Sequence, residues 1–167
     1  RIPNGIDSAR FAAPPPAGSI PGFERREGEV IVGTLAGLRK VKNLPRLVRA
    51  FAAATRIVSV PARLVIVGEG PEREAIAAAA VDAGIADRLL MPGFLGKPET
   101  CVGHFDIFAL SSDSEQFPLS LVEAMAAGLP AVATDVGDVR AIVSQRNRMM
   151  IARTDDDMAF GRLLARM

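Results

Sequence analysis

Four short apolar runs, each ending in glycine or small polar residues, constrain this chain more than any other feature. They are VIVGTLAG (residues 30–37), LVIVGEG (64–70), DIFALSS (106–112) and PAVATD (130–135). None alternates apolar with polar residues, as expected of strands buried on both faces. Segments of helical spacing lie between them. In NLPRLVRAFAAATRIV, Leu44, Leu47, Val48 and Phe51 fall on one stripe. PEREAIAAAAVDAG reads as a helix with Pro71 at its first position, acids in its first turn and Gly84 past its end. RLLMPG and RMMIA read as short strands and DVRAIVS as a short helix. TDDDMAFGRLLARM reads as a terminal helix capped by Thr154 or Asp155. Strands alternating with helices predict an α/β fold: a Rossmann-like parallel sheet with helices on both faces. Residues 1–28, with Asn4-Gly5 and the run APPPAGSIPG, read as a linker, and 29–167 as one domain. The chain opens on Arg inside that linker, which suggests a fragment of a longer protein.

Composition narrows the function classes. The eight Phe stand without a single Trp or Tyr, too few rings for a base-stacking platform. The formal net charge of +1 gives no strong pull toward nucleic acid. One cysteine, Cys101, cannot pair within the chain and points to a reducing, cytoplasmic compartment. No apolar run reaches the roughly 18 residues of a membrane span. No Walker motif is present. GEGPER departs from the dinucleotide fingerprint, because Arg73 stands where its third glycine belongs, which disfavours a nicotinamide oxidoreductase.

Chemistry is expected at the carboxyl ends of the strands, where open α/β sheets bind ligands. Tight turns explain the glycines at any one strand end well enough. Small residues at four ends of one edge favour a crevice. There SSDSEQFPLSLVEAMAAGLPAVATDVG (111–137) raises a physical problem. Its helix is apolar almost all round, yet carries Glu123, and Glu115 waits before its start. A carboxylate among apolar residues is costly unless it has hydrogen-bond donors. Glu123 lies just over one turn past Pro118, so it can face the crevice, where ligand hydroxyls would satisfy it. Pro118 pre-sets the first turn. The amides of Phe117, Leu119 and Ser120 lie at the positive helix end, a seat for phosphate. Polyol, diphosphate and polyol in that order match a nucleotide sugar. The plainer account is a helix-terminus acid plus an exposed helix acid; the apolar flanks argue against it.

This stretch closely resembles the signature of the retaining glycosyltransferases of family 4, in the GT-B superfold, with Glu115 and Glu123 on its paired-glutamate motif. IPNGID resembles the segment leading into that family's C-terminal domain. VGTLAGLRKVKNLPRLVRAF and LVIVGEGPERE resemble its first two strand–helix units. The resemblance implies the donor-binding half of a two-domain enzyme, with the acceptor-binding N-terminal half outside this sequence. It implies a nucleoside-diphosphate sugar as donor, no metal and no other cofactor. Any peripheral association with the inner membrane face would run through the missing half. Carried over by position, Glu115 holds the transferred sugar, Lys42 the pyrophosphate and Glu123 the ribose. The backbone of Phe117, Pro118 and Leu119 meets the diphosphate, and Gly93, Phe94 and Leu95 flank the base. Gly37 stands where the family carries a phosphate-gripping Arg, so Arg39 substitutes or the clamp is weaker. Gln116 replaces the usual Gly beside the sugar. The catalytic candidates are therefore Glu115 and Lys42.

Three other readings remain open: an epimerase of related fold, a degenerate nucleotide-sugar-binding module kept in view by Gly37, and the disfavoured oxidoreductase. Among the basic residues, Arg46 and Arg49 read as a solvated helix face, and Lys42, in the turn before it, as the phosphate candidate. The single His104 reads as structural or surface, Asp155–Asp157 as helix-terminus acids, and Met149 and Met150 as core or edge filling.

Overall fold

The computed structural model describes residues 4–167, so Ile2 and Pro3 of the IPNGID stretch lie outside the described residues. Six strands form one parallel sheet: Val30–Leu35 (β1), Ala62–Val67 (β2), Leu89–Gly93 (β3), Ile107–Leu110 (β4), Ala131–Thr134 (β5) and Ile151–Ala152 (β6). Their spatial order is β3-β2-β1-β4-β5-β6. The chain works outward from β1 to β3, then returns to the other side of β1, where Val32 aligns with Ile107 and Gly33 with Phe108. The helices are Leu44–Ile57 (α1), Arg73–Asp82 (α2), Leu119–Ala126 (α3), Val139–Ile142 (α4) and Asp157–Leu164 (α5). This is the expected Rossmann-like α/β architecture.

Successive strand residues point to opposite faces, and both faces are buried. Val32, Leu64, Ile66, Ala109 and Val132 pack under α1, α2 and α5, which contribute Leu47, Phe51, Ile76 and Phe160. Ile31, Val65, Phe108, Leu110 and Ala133 face Leu121 and Ala124 of α3 and Val139 of α4. Burying Leu47, Val48 and Phe51 of α1 is worth about 1.5–3 kcal/mol each. An exposed pair such as Arg49–Asp157 contributes roughly 0.2–1 kcal/mol. Packing, not surface charge, holds α1.

The proline-rich segment before β1 has no strand, as its composition requires, but it is docked. Phe11, on a short 3-10 turn (Ser8–Phe11), and Ile20 are buried in the second core. His104 Nε2 lies 2.9 Å from Ser19 Oγ and 3.1 Å from Pro16 O, a structural role. Arg63 pairs with buried Glu29 and stacks 5.0 Å over Phe23.

Several local expectations need correction. Pro71 is not in α2. The turn before the helix is pinned by the bond from Glu72 N to Leu38 O, 3.0 Å, and helical geometry begins at Arg73. The cap of α5 is Asp156, whose carboxylate accepts from Ala159 N at 2.7 Å, while Asp155 is taken by Arg153. Met149 is exposed; only Met150 packs on the core. Arg46 is not solvated. It is buried, and donates to Asp157 (2.6 Å), Asp113 (2.7 Å), Ser111 O (3.1 Å) and Thr154 O (2.5 Å). Burial pulls its pKa down, but the hydrogen bonds of Asp157 and Asp113 win and hold it above the ordinary value.

The glycines at the strand ends mostly serve the protein itself. At Gly68, φ is +146° and an added Cβ would sit 1.8 Å from Ala36 O. Gly137 likewise lets its turn touch the carbonyls of Glu115 and Gln116. Gly68→Ala is expected to cost about 2–4 kcal/mol, strain plus displaced backbone. Gly84→Ala, with φ +71° and open space around it, should cost only about 1–2 kcal/mol. Urea unfolding of the two variants checks that ranking.

Candidate functional site

The loops after β1 and β4 meet beside the carboxyl ends of their strands, and they bring two of the candidate residues, Lys42 and Glu115, together. The loop after β1 runs through Gly37 and Arg39 to a 3-10 turn ending at Lys42. Asn43 then takes a left-handed conformation, φ 42°, which Asn tolerates better than most residues. It caps α1 by accepting from Arg46 N and donates to both oxygens of Asp113 at 3.1 Å. That tie joins the β1 loop to the β4 loop. Ser111 Oγ adds another, donating to Lys42 O at 3.0 Å.

The structure brings Lys42 and Glu115 into contact across this gap. Lys42 Nζ lies 2.6 Å from Glu115 Oε1, with both side chains largely buried. Ser112 Oγ donates to the same oxygen at 2.6 Å.

Glu123, the fifth residue of α3, is set apart from that pair. It lines a cavity of about 560 Å³ together with Gly37, Gly68, Phe94, Leu95 and Leu119. Glu115 and Lys42 are not part of its lining. Phe94 is 74% exposed, a large apolar ring left at the rim. Gly37 opens onto the cavity, and Arg39 Nε would lie only 3.6 Å from a Cβ placed there. The Arg39 side chain therefore folds back toward the position where the resemblance expects a basic residue. Pro118 is buried and precedes α3, which no side chain of the described residues caps. The first helical amides with internal acceptors are those of Leu121 and Val122, both to Pro118 O. Phe117 points elsewhere, lining a separate groove of about 490 Å³ with Val122, Met125 and Ile142. Its side chain is not shared with the Glu123 cavity.

Sequence reasoning missed the supporting groups. Ser112 and Arg46 carry no local signal beyond a serine pair and a basic run. Glu99 and Arg10 form an ion pair near Glu123, and Glu99 Oε2 is buried without a partner among the described residues. Arg73, in place of the third glycine of a dinucleotide loop, donates to Glu69 and to Met91 O, 2.8 Å. Among the described residues no three His, Cys, Asp or Glu side chains are grouped to hold a metal ion. None of their helices is long and apolar enough to cross a membrane.

The family model described as Glycosyl transferases group 1 matches residues 19–167. The chain belongs to this family. Relatives of this group 1 domain include the N-acetyl-alpha-D-glucosaminyl L-malate synthase of Bacillus anthracis, 34% identical over 78% of this chain and 34% of that protein. The D-inositol 3-phosphate glycosyltransferase of Mycobacteroides abscessus is 36% identical over 97% of this chain and 38% of its own length. The chain thus spans about a third of these relatives. Its fold matches the sucrose-phosphate synthase of Thermosynechococcus elongatus with a TM-score of 0.82, at 23% identity over 99% of this chain and 42% of that one. It also matches Anabaena HepE, solved with UDP and glucose, with a TM-score of 0.80 at 20% identity, over 98% of this chain and 45% of that one. The fold of this group 1 domain is therefore that of the GT-B glycosyltransferases.

Within the group 1 domain, the Glu123 carboxyl sits above its ordinary range, chiefly through burial and next through Glu99, with Arg10 opposing. No hydrogen bond reaches its carboxylate from the described residues. An acid whose pKa is raised on folding holds its proton more tightly folded than unfolded, so stability falls as pH climbs from the ordinary 4.5 through the raised value. Glu123→Gln removes that loss. Its melting temperature should exceed wild type at pH 7 and converge with it near pH 4; parallel melting curves across that range would contradict the burial of this charge.

Proposed function

We propose that this chain is the donor-binding half of a retaining glycosyltransferase of family 4, moving a sugar from a nucleoside-diphosphate sugar to an acceptor without a metal ion. The observation that carries the reading is Glu123: a half-buried carboxylate with no donor among the described residues, lining a cavity between the carboxyl ends of β1, β2 and β3 and the start of α3. Hydroxyl groups of a bound ribose would supply the missing hydrogen bonds and offset the burial. The α3 N-terminus and Lys42 would take the diphosphate, stabilising charge as it departs. Arg39, folded toward Gly37, would add the cation that position 37 lacks. Phe94 and Leu95 would cover the base, and Glu115 would orient the transferred sugar. Attack on the donor face vacated by the leaving phosphate, with no protein nucleophile, completes the reaction. The acceptor would sit on the N-terminal half of the longer protein, in the cytoplasm or against the inner face of the membrane. The family's glycosyltransferase members and the fold shared with a UDP- and glucose-bound structure support this assignment.

Calorimetry with UDP and GDP tests it. At least one nucleotide should bind, and Glu123→Ala should weaken it tenfold or more, about 1.4 kcal/mol. Failure of both to bind at millimolar concentration would sink the donor reading and leave a degenerate module. The chain by itself, given donor and acceptor, is expected to transfer no sugar, because half of the cleft lies on the other domain. Turnover by residues 1–167 alone would contradict that division of labour.

A further inference from the structure

Two donors converge on a single oxygen of Glu115. Lys42 Nζ and Ser112 Oγ each lie 2.6 Å from Oε1, whereas Oε2 receives no hydrogen bond from the described residues. The donors differ in kind. Lys42 ends a four-carbon flexible stem and carries a mobile point charge. Ser112 is 1% exposed, stands just past β4, and is anchored by its own carbonyl, which accepts from Thr134 Oγ1 at 2.6 Å at the end of β5. Thr134 is itself fully buried. A short side chain on two adjoining strand ends keeps its position when a flexible neighbour leaves.

We infer that Ser112 is a positioning residue that keeps Glu115 aimed while Lys42 exchanges its partner, leaving Glu115 for the donor's diphosphate. The inference rests on the donor reading above. Within the chain the ammonium of Lys42 neutralises Glu115. When a diphosphate arrives, the ammonium gains a partner of higher negative charge, and Glu115 is left with one donor among the described residues, Ser112. That bond keeps Oε1 occupied and presents Oε2 to a sugar hydroxyl. Losing Ser112 should therefore damage the step that depends on sugar orientation and spare nucleotide binding. The surrounding backbone does not depend on the hydroxyl. Arg46 holds Ser111 O, and Ser111 Oγ holds Lys42 O, independently of it.

The test uses the full-length protein with UDP-glucose, UDP-N-acetylglucosamine and GDP-mannose as donors, and UDP and GDP as binding probes. Ser112→Ala is expected to lower kcat tenfold or more, with the donor KM and the nucleotide Kd within twofold of wild type. Ser112→Thr, which keeps the hydroxyl, should recover most of kcat. Lys42→Met should show the other split, raising the nucleotide Kd tenfold or more. If Ser112→Ala does not fold, Ser112→Cys, close in size but a weaker donor, reads the same division. Unchanged kcat in Ser112→Ala, or a parallel loss of kcat and nucleotide affinity, overturns the assignment while the donor reading stands. A wild-type protein that binds neither nucleotide and uses no donor overturns the donor reading and this assignment with it.

Discussion

The parallel pairing of β1 with β4 is the constraint on which the rest of this structure depends. The chain first builds outward through β2 and β3, with α1 and α2 on one face. It then crosses back and builds through β5 and β6 on the other side, with α3 on the opposite face. Crossovers of one hand place the helices on opposite faces when the direction of winding reverses. A crevice then opens at the carboxyl end of the sheet. Lys42 and Glu115, 73 positions apart, meet there because the register of two adjacent strands puts them there.

Around that crevice the protein has solved two electrostatic problems differently. Glu115 is largely buried but receives a cation and a hydroxyl, so its charge is compensated within the chain. Among the described residues Glu123 receives neither, and it shares its neighbourhood with Glu99, whose own oxygen Oε2 has no partner among them. A folded domain tolerates such a group at a cost in stability, and such costs cluster at functional sites. Arg46 resolves the opposite case. A buried guanidinium is expensive alone, but here it has two carboxylates and two carbonyls, and in return it fastens α1 to the β4 loop and the start of α5.

The close approach of loops to one another explains the glycines better than ligand access does. Gly68 and Gly70 fit under the carbonyls of Ala36 and Leu38, and Gly137 under those of Glu115 and Gln116. These contacts leave little freedom in the loops that carry the site. Gly37 is the exception among them: it lines the cavity, and a Cβ there would meet no backbone, only Arg39 Nε at 3.6 Å.

The strand–helix alternation, the buried sheet and the edge that bears the cavity were all legible in the chain, because apolar periodicity and terminal glycines are local signals. Glu123, just over one turn into its helix, lines the cavity at that edge. The cap of α5, read as Thr154 or Asp155, is Asp156, because three successive aspartates compete and only the position of Arg153 decides among them. Arg46 was misread as solvated, because its partners Asp113 and Asp157 lie 67 and 111 positions away. The strand order, the Lys42–Glu115 pair and the hold of Ser112 on that glutamate belong to the tertiary structure alone. Hydrophobic patterning says which residues leave water, but only the path of the chain through the sheet says which polar groups then become neighbours.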